Sequence, residues 1–266
     1  MISRLLLTGA AGGLGKALRP RLQGDCRTLR LSDLAPLDPA AAHEECVQAD
    51  LGQADQVMSM VEGCEAIVHL GGISVEAPWP HILKANIDGM VNLYEAARLH
   101  KVRRVVFASS NHVMGFHRQD HVVDALTPPR PDGFYGLSKA FGEDLSRLYF
   151  DRYGIETACV RIGSSYPEPK DRRMLATWLS YDDLHRLVVA CLTTPVLGHT
   201  IIYATSDNAV SWYDNRLAHH VGYRPKDSAD AYRDAVYART QAPDLTDPAA
   251  IYQGGGFVKI GPLSEP

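Results

Sequence analysis

Thr8-Gly9-Ala10-Ala11-Gly12-Gly13-Leu14-Gly15 decides the fold of this 266-residue chain. It follows the apolar run Arg4–Thr8, which reads as a strand, and opens Gly13–Leu22, which reads as a helix. Glycines 9, 12 and 15 are evenly spaced in the pattern GxxGxxG. Glycine at such places permits a tight turn, a close backbone approach to a phosphate group, and close packing of helix on strand. The helix N-terminus adds free N–H groups and a partial positive charge. A glycine-rich turn alone says little; between strand and helix it is the arrangement that binds a dinucleotide pyrophosphate.

Outward from that stretch the alternation continues. Thr28–Ser32, Cys46–Ala49, Ala66–Leu70, Arg104–Ala108 and Thr157–Ile162 read as strands, and Gln53–Val61, Ile82–Leu99 and Tyr135–Tyr153 as helices. The strands are apolar throughout instead of at alternate residues, which implies a parallel sheet covered on both faces. Right-handed crossovers then give an α/β, doubly wound Rossmann fold. Past about Gly163 the pattern loosens. Tyr181–Leu192 reads as helical, Thr200–Ala204 as a strand, Ser211–His220 as a helix, and Arg224–Ala250 as partly helical and exposed. Residues 1–162 are expected to form the dinucleotide-binding core. Residues 163–266 are expected to form a small C-terminal substrate-binding region packed on it as one compact unit.

Composition narrows the partners. Lys and Arg number 27 against 31 Asp and Glu, a net charge of −4, so the chain lacks the positive field that nucleic acids attract. No run approaches the roughly 20 apolar residues of a membrane helix, and the short run Leu5–Leu7 is no secretory leader. Five scattered cysteines with no CxxC pair argue against a disulfide framework and a zinc site, and suit a reducing cytoplasm. No set of histidines and acids has metal-ligand spacing, so no metal is expected.

Asp33 ends the second strand 18 residues past Gly15, near the offset of an acid that accepts from ribose hydroxyls and repels a 2′-phosphate. That favours NAD over NADP; the plainer reading is a turn-capping aspartate. Asp50-Leu51 ends the third strand, placed either to contact the adenine or as plain loop. Tyr135 and Lys139 form YxxxK, one helical face, where a cation stabilises tyrosinate and lowers a phenol pKa. Such a tyrosine serves as general base. The pair alone is common on helix surfaces. Ser110, at the carboxyl end of the fifth strand, adds a hydroxyl to orient a substrate oxygen; Ser109 is the alternative one residue away.

Together Gly9, Gly12, Gly15, Asp33, Ser110, Tyr135 and Lys139 resemble the short-chain dehydrogenase/reductase superfamily in its extended, sugar-modifying branch, which includes the NAD-dependent epimerases and dehydratases. The 25-residue interval from Ser110 to Tyr135 fits, and Asn86 resembles the asparagine that braces the active site there. His69–Glu76, Ser109–His112, Arg161–Ser164, Arg173–Trp178 and Gln253–Val258 are similar, more narrowly, to the uronate dehydrogenase family. That resemblance implies oxidation of cyclic D-galacturonate and D-glucuronate by NAD+ to aldarolactones.

It implies Tyr135 as base, Lys139 binding the nicotinamide ribose, and Ser110 orienting the C1 oxygen. Cofactor contacts would come from Gly9, Gly12, Gly13, Leu14, Gly15, Asp33, Asp50, Leu51, Leu70, Gly71, Gly72, Tyr135, Lys139, Ile162 and Ser164. Substrate contacts would come from Ser74, Ser110, Asn111, His112, Tyr135, Ser164 and Arg173, with Arg173 gripping the carboxylate through a two-pronged pair. A surface role for Arg173 and a loop role for His112 are the bland alternatives. The resemblance also implies a homo-oligomer paired through Ile82–Leu99 and Tyr135–Tyr153. Two other functions compete: a nucleotide-sugar epimerase or dehydratase, which would need more than the roughly 100 residues left after the sixth strand, and a non-catalytic NAD-sensing regulator.

Overall fold

The structure, a computed structural model, describes residues 1–261. Its main sheet is built from β1 (Ile2–Thr8), β2 (Cys26–Asp33), β3 (Glu44–Gln48), β4 (Ala66–His69), β5 (Arg104–Ser110), β6 (Glu156–Ile162) and β9 (His199–Ala204). A second, two-stranded sheet pairs β7 (Ser164–Ser165) with β8 (Trp178–Leu179). The seven strands are parallel and run in the order β3-β2-β1-β4-β5-β6-β9. The expected doubly wound fold is therefore present.

Adjacent residues of a strand serve opposite faces. Leu5 and Leu7 pack in one cluster with Leu18 of α1 (Gly13–Leu18) and with Leu184, Leu187 and Cys191 of α7 (Tyr181–Thr193). Leu6 packs on the other face with Val57 and Met60 of α2 (Ala54–Val61), Leu93 and Ala97 of α4 (Gly89–Leu99), and Tyr149 of α5 (Phe134–Tyr153). Each such leucine is fully buried and contributes about 2 kcal/mol. Double coverage is why the strands are apolar at every position. β9 and α7 come from beyond Ile162, so the sheet and one of its helical faces draw on both parts of the chain.

Strand order reverses between β1 and β4, and in such sheets the ligand crevice opens there, outside the carboxyl ends of the strands. Thr8, His69, Ser110 and Ile162 stand at those ends.

Three elements differ from the sequence reading. The helix from Gly13 stops at Leu18, because Pro20 has no N–H to extend the ladder. The helix expected over Ile82–Leu99 is interrupted: α3 (Trp79–Ile82) runs into a π-helical turn, Leu83–Asp88, before α4. Ser211–His220 is not a helix. Its backbone pairs with Val123 instead, Val123 N–H to Trp212 and Asp214 N–H to Val123, and only a 3-10 turn forms over Arg216–Val221. The remaining helices, α6 (Met174–Thr177), α8 (Arg233–Arg239) and α9 (Pro248–Ile251), are short.

Candidate active site

One cleft of about 1050 Å3 runs along the carboxyl ends of the strands. Every residue singled out in the sequence for cofactor, substrate or catalysis lines it, from Gly9 to Arg173.

At one end the wall is backbone. Gly9 has φ +68, and a Cβ there would lie 2.7 Å from the Leu70 carbonyl carbon. A Cβ on Gly15 would lie 2.2 Å from the Gly9 carbonyl oxygen. At Gly9 and Gly15 the turn thus closes on the residue after β4 and on itself with no room for a side chain. Asp33 accepts N–H groups from Ala11 at 2.9 Å and Ala35 at 3.0 Å, so it caps the turn as well as lining the cleft. The Lys84 ammonium, 2.8 Å from Asp50, and the Gly52 N–H hold the Asp50 carboxyl below the usual carboxylate range. Beneath the turn, Thr8 Oγ1 accepts the Gly71 N–H and meets His69 Nδ1 at 2.7 Å. Burial pushes His69 down to about 3, so the ring stays neutral.

At the centre, α5 carries Tyr135 and Lys139 on one face. The two carboxylate oxygens of buried Glu76 accept the N–H groups of Phe134 and Tyr135, each at 2.9 Å, and so anchor the first turn of α5. Ser110 is the serine on the tyrosine side. Its hydroxyl favours the ionised phenol of Tyr135, and its Oγ accepts the His112 N–H at 3.2 Å. Ser109 turns away and donates to Glu143 Oε1 at 2.6 Å. Asn86, in the π-helical turn, grips Ile73 through both its amide groups and donates to Ser138 Oγ at 2.9 Å. It braces the loop after β4 against α5.

The expected lowering of the phenol pKa is not found. Burial pushes the Tyr135 hydroxyl up to about 12, opposed by the Ser110 hydroxyl. Lys139 spends a hydrogen on the Ala108 carbonyl at 2.8 Å and lies 5.7 Å from the centre of the Tyr135 ring. Burial in turn draws Lys139 down to about 8.

At the far end the wall is side chains from distant segments. Arg173 donates from Nε at 2.8 Å and Nη2 at 2.5 Å to the Gln253 carbonyl, and from Nη1 to Ser164 Oγ at 3.4 Å. These partners are neutral. Ser164 Oγ also meets Thr177 Oγ1 at 2.9 Å. His112 Nδ1 lies 2.7 Å from Asp132 Oδ2, and the ring stacks on Phe257 with centroids 3.9 Å apart. Asn111 donates to the Tyr213 hydroxyl at 3.5 Å, and Ser74 is exposed on the rim.

Several of these residues escaped the sequence reading. Glu76, Asp132, Tyr213 and Phe257 carried no role there. Nor did the Arg161–Glu143 pair, both residues buried, joined by two hydrogen bonds of 2.9 and 2.7 Å beneath Ser109. An arginine inside an otherwise apolar strand was the available signal. Isolated buried charges are too costly to stand without partners.

These residues fit NAD: a turn that admits no Cβ at Gly9 or Gly15, a carboxylate ending β2, and a buried tyrosine–lysine pair further along the same cleft. Among the described residues no group of three histidines, cysteines or acids could hold a metal ion, and no helix is long and apolar enough to cross a membrane. Residues 5–195 match the model of the NAD dependent epimerase/dehydratase family. The chain is 56% identical over 263 residues to a uronate dehydrogenase of Pseudomonas putida, covering 98% of each. It is 52% identical to one of Agrobacterium fabrum, covering 97% of each. A crystal structure of an Agrobacterium tumefaciens uronate dehydrogenase variant complexed with NAD superposes with a TM-score of 0.97 at 50% identity, over 99% of both chains. A glycine turn, a YxxxK helix and such likeness over the whole length agree: the chain belongs to the NAD-dependent epimerase/dehydratase family and, within it, to the uronate dehydrogenases, which are NAD-dependent oxidoreductases.

Proposed function

We propose that this protein oxidises hexuronates, D-galacturonate and D-glucuronate, in their cyclic form at C1, releasing aldarolactones. One observation carries the substrate class. Arg173 lines the same cleft as Tyr135, and among the described residues its guanidinium is bound only by a carbonyl and a hydroxyl. A partly buried cation whose recorded partners are neutral is a receptor for a carboxylate, and a chain of net charge −4 offers no diffuse attraction instead.

The glycine turn, Asp33 and the loops after β3 and β4 would hold NAD, with Asp33 on the adenosine ribose. Bound NAD+ supplies the hydride acceptor for the hydrogen on C1. Tyr135, as phenolate, takes the proton of the C1 hydroxyl onto its oxygen. Ser110 holds that C1 oxygen beside the phenol. Because burial sets the Tyr135 hydroxyl at about 12, a cation has to favour the phenolate, and Lys139, charged below about 8, is the candidate. Loss of the hydride from C1 and of the proton from its hydroxyl leaves a C1 carbonyl within the ring, a lactone. Ser74, Asn111, His112 and Ser164 would bind the sugar oxygens. Residues beyond 162 would thus supply the carboxylate receptor to a core that supplies the cofactor site.

Exposed Val91 and Leu99 on α4, and Leu148 and Tyr153 on α5, support a homo-oligomer paired through these helices. Free thiols at all five cysteines suit a reducing cytoplasm. The test is NADH absorbance with galacturonate, glucuronate, galactose and glucose. Fast turnover of the uronates is expected, with only a small residual rate for the neutral sugars. Equal turnover of the neutral sugars would remove the carboxylate reading, and no turnover of any would remove the enzymatic one.

A further inference from the structure

We propose that Asp132 is a positioning residue for the substrate. It fixes the hydrogen of His112 on Nδ1 and so presents the Nε2 lone pair to the cleft as acceptor for a sugar hydroxyl. This rests on the reading of His112 as a sugar ligand.

The geometry points there from three sides. First, a carboxylate carries no hydrogen, so across the 2.7 Å contact it is Nδ1–H of His112 that donates to Asp132 Oδ2. The opposite nitrogen, Nε2, has no recorded partner among the described residues, and the ring lines the cleft. Second, the ring cannot turn freely. Phe257 stacks on it at 3.9 Å between centroids, and Tyr135 meets it edge-on at 5.8 Å. Third, Asp132 is confined. It is 6% exposed, in a cradle of glycines. A Cβ on Gly115 or on Gly254 would lie 2.0 Å from Oδ2, and one on Gly136 would lie 3.1 Å from Oδ1.

Its Oδ1 is buried with no partner. A buried carboxylate oxygen left unpaired destabilises the fold. Among the described residues the one hydrogen-bond partner of the Asp132 side chain is His112. A role in holding His112 accounts for the buried acid: the neutral ring has two tautomers, and the partner of one nitrogen decides which face the other shows.

The experiment compares Asp132→Asn, His112→Gln and the double variant by kcat and by KM for galacturonate and for NAD, with Tm measured on each. His112→Gln and Asp132→Asn should each raise the galacturonate KM about tenfold and leave the NAD KM within about twofold, as lost sugar contacts do. In the His112→Gln background, Asp132→Asn should add less than about twofold. Multiplicative effects in the double variant, or an Asp132→Asn enzyme with unchanged galacturonate KM beside an impaired His112→Gln, would overturn the Asp132 inference alone. An unchanged KM in His112→Gln would overturn the reading of His112 itself. A measurement on the unaltered protein needs no variant to fold stably. With 15N-labelled histidine, at a pH where the ring is neutral, His112 should be the Nδ1–H tautomer. The Nε2–H form would refute the proposal.

Discussion

The two ends of the cleft are built by opposite means. The nucleotide end is mainly backbone: eight consecutive residues, Thr8–Gly15, close a turn that leaves no room for a Cβ at Gly9 or Gly15. The sugar end is side chains gathered from afar. Arg173 is held by a carbonyl 80 residues away, and His112 by an aspartate 20 residues on and a phenylalanine from the C-terminal stretch. Backbone construction needs only glycine and a strand–helix junction. Side-chain construction needs each cation, acid and ring to be held by another, and so it can be tuned one residue at a time. Tyr135 stands between the two ends, and its substitution is the sharpest way to separate them. Tyr135→Phe should cut turnover by about 10³- to 10⁴-fold while NAD affinity, read by calorimetry, stays within about twofold. Loss of NAD affinity by a similar factor would mean that the ends are not independent.

Arg173→Met comes next in size and acts on the sugar end alone. Loss of a two-pronged charge-assisted pair costs about 3–4 kcal/mol, so kcat/KM for galacturonate should fall about 10²- to 10³-fold. The small residual rate with galactose should not change. A parallel fall for galactose would show that Arg173 supports the site through Gln253 and Ser164 instead of gripping a carboxylate.

The same contrast explains what the sequence made legible. The fold was readable because double coverage makes strands apolar throughout and because glycine spacing at a strand–helix junction has few other uses. Ser110, Tyr135 and Lys139 were readable by spacing. What stayed hidden is long-range and polar. Glu76 caps α5 from 58 residues away, and no local pattern marks it. Asp132 sits in a Pro/Asp/Gly loop that reads as solvent-exposed, yet glycines from three segments bury it. The π-helical turn hid inside a continuous apolar period because one extra residue in a turn barely disturbs that period, although it brings Asn86 onto Ile73 and Ser138. The lysine–tyrosine pair was legible as a pair, but its electrostatics were not. Spacing on a helix says nothing about burial, and burial raises the phenol and lowers the ammonium.

That last point makes Lys139 a test of what function costs the fold. Its pKa falls from 10.5 to about 8 on folding, so between those values the unfolded chain binds the proton that the folded one has released. Stability then rises with pH across that window, and below about 8 the buried charge carries its full penalty, about 3 kcal/mol. Lys139→Met should therefore be more stable than the parent at pH 7, by up to about that amount, and the advantage should shrink toward pH 10. Urea midpoints at pH 7 and pH 10 measure it. A variant less stable at pH 7 would mean that the hydrogen bond to Ala108 outweighs the burial of the charge.

The smallest expected effect lies at the nucleotide end, at the carboxylate that ends β2. Asp33 does two things at once: it accepts from Ala11 and Ala35, and it is proposed to meet the ribose and repel a 2′-phosphate. Asp33→Ala removes both, so a weaker enzyme alone would teach little. Asp33→Asn separates them. An amide oxygen still accepts an N–H of the turn, but the charge that repels phosphate is gone. Both variants should shift the ratio of kcat/KM for NADP over NAD upward by about tenfold, or about 1.4 kcal/mol. Asp33→Ala should lower Tm more than Asp33→Asn, because it leaves both turn amides without an acceptor where the asparagine leaves one. If the cofactor ratio moves in neither, Asp33 belongs wholly to the turn, and cofactor choice lies elsewhere in the cleft.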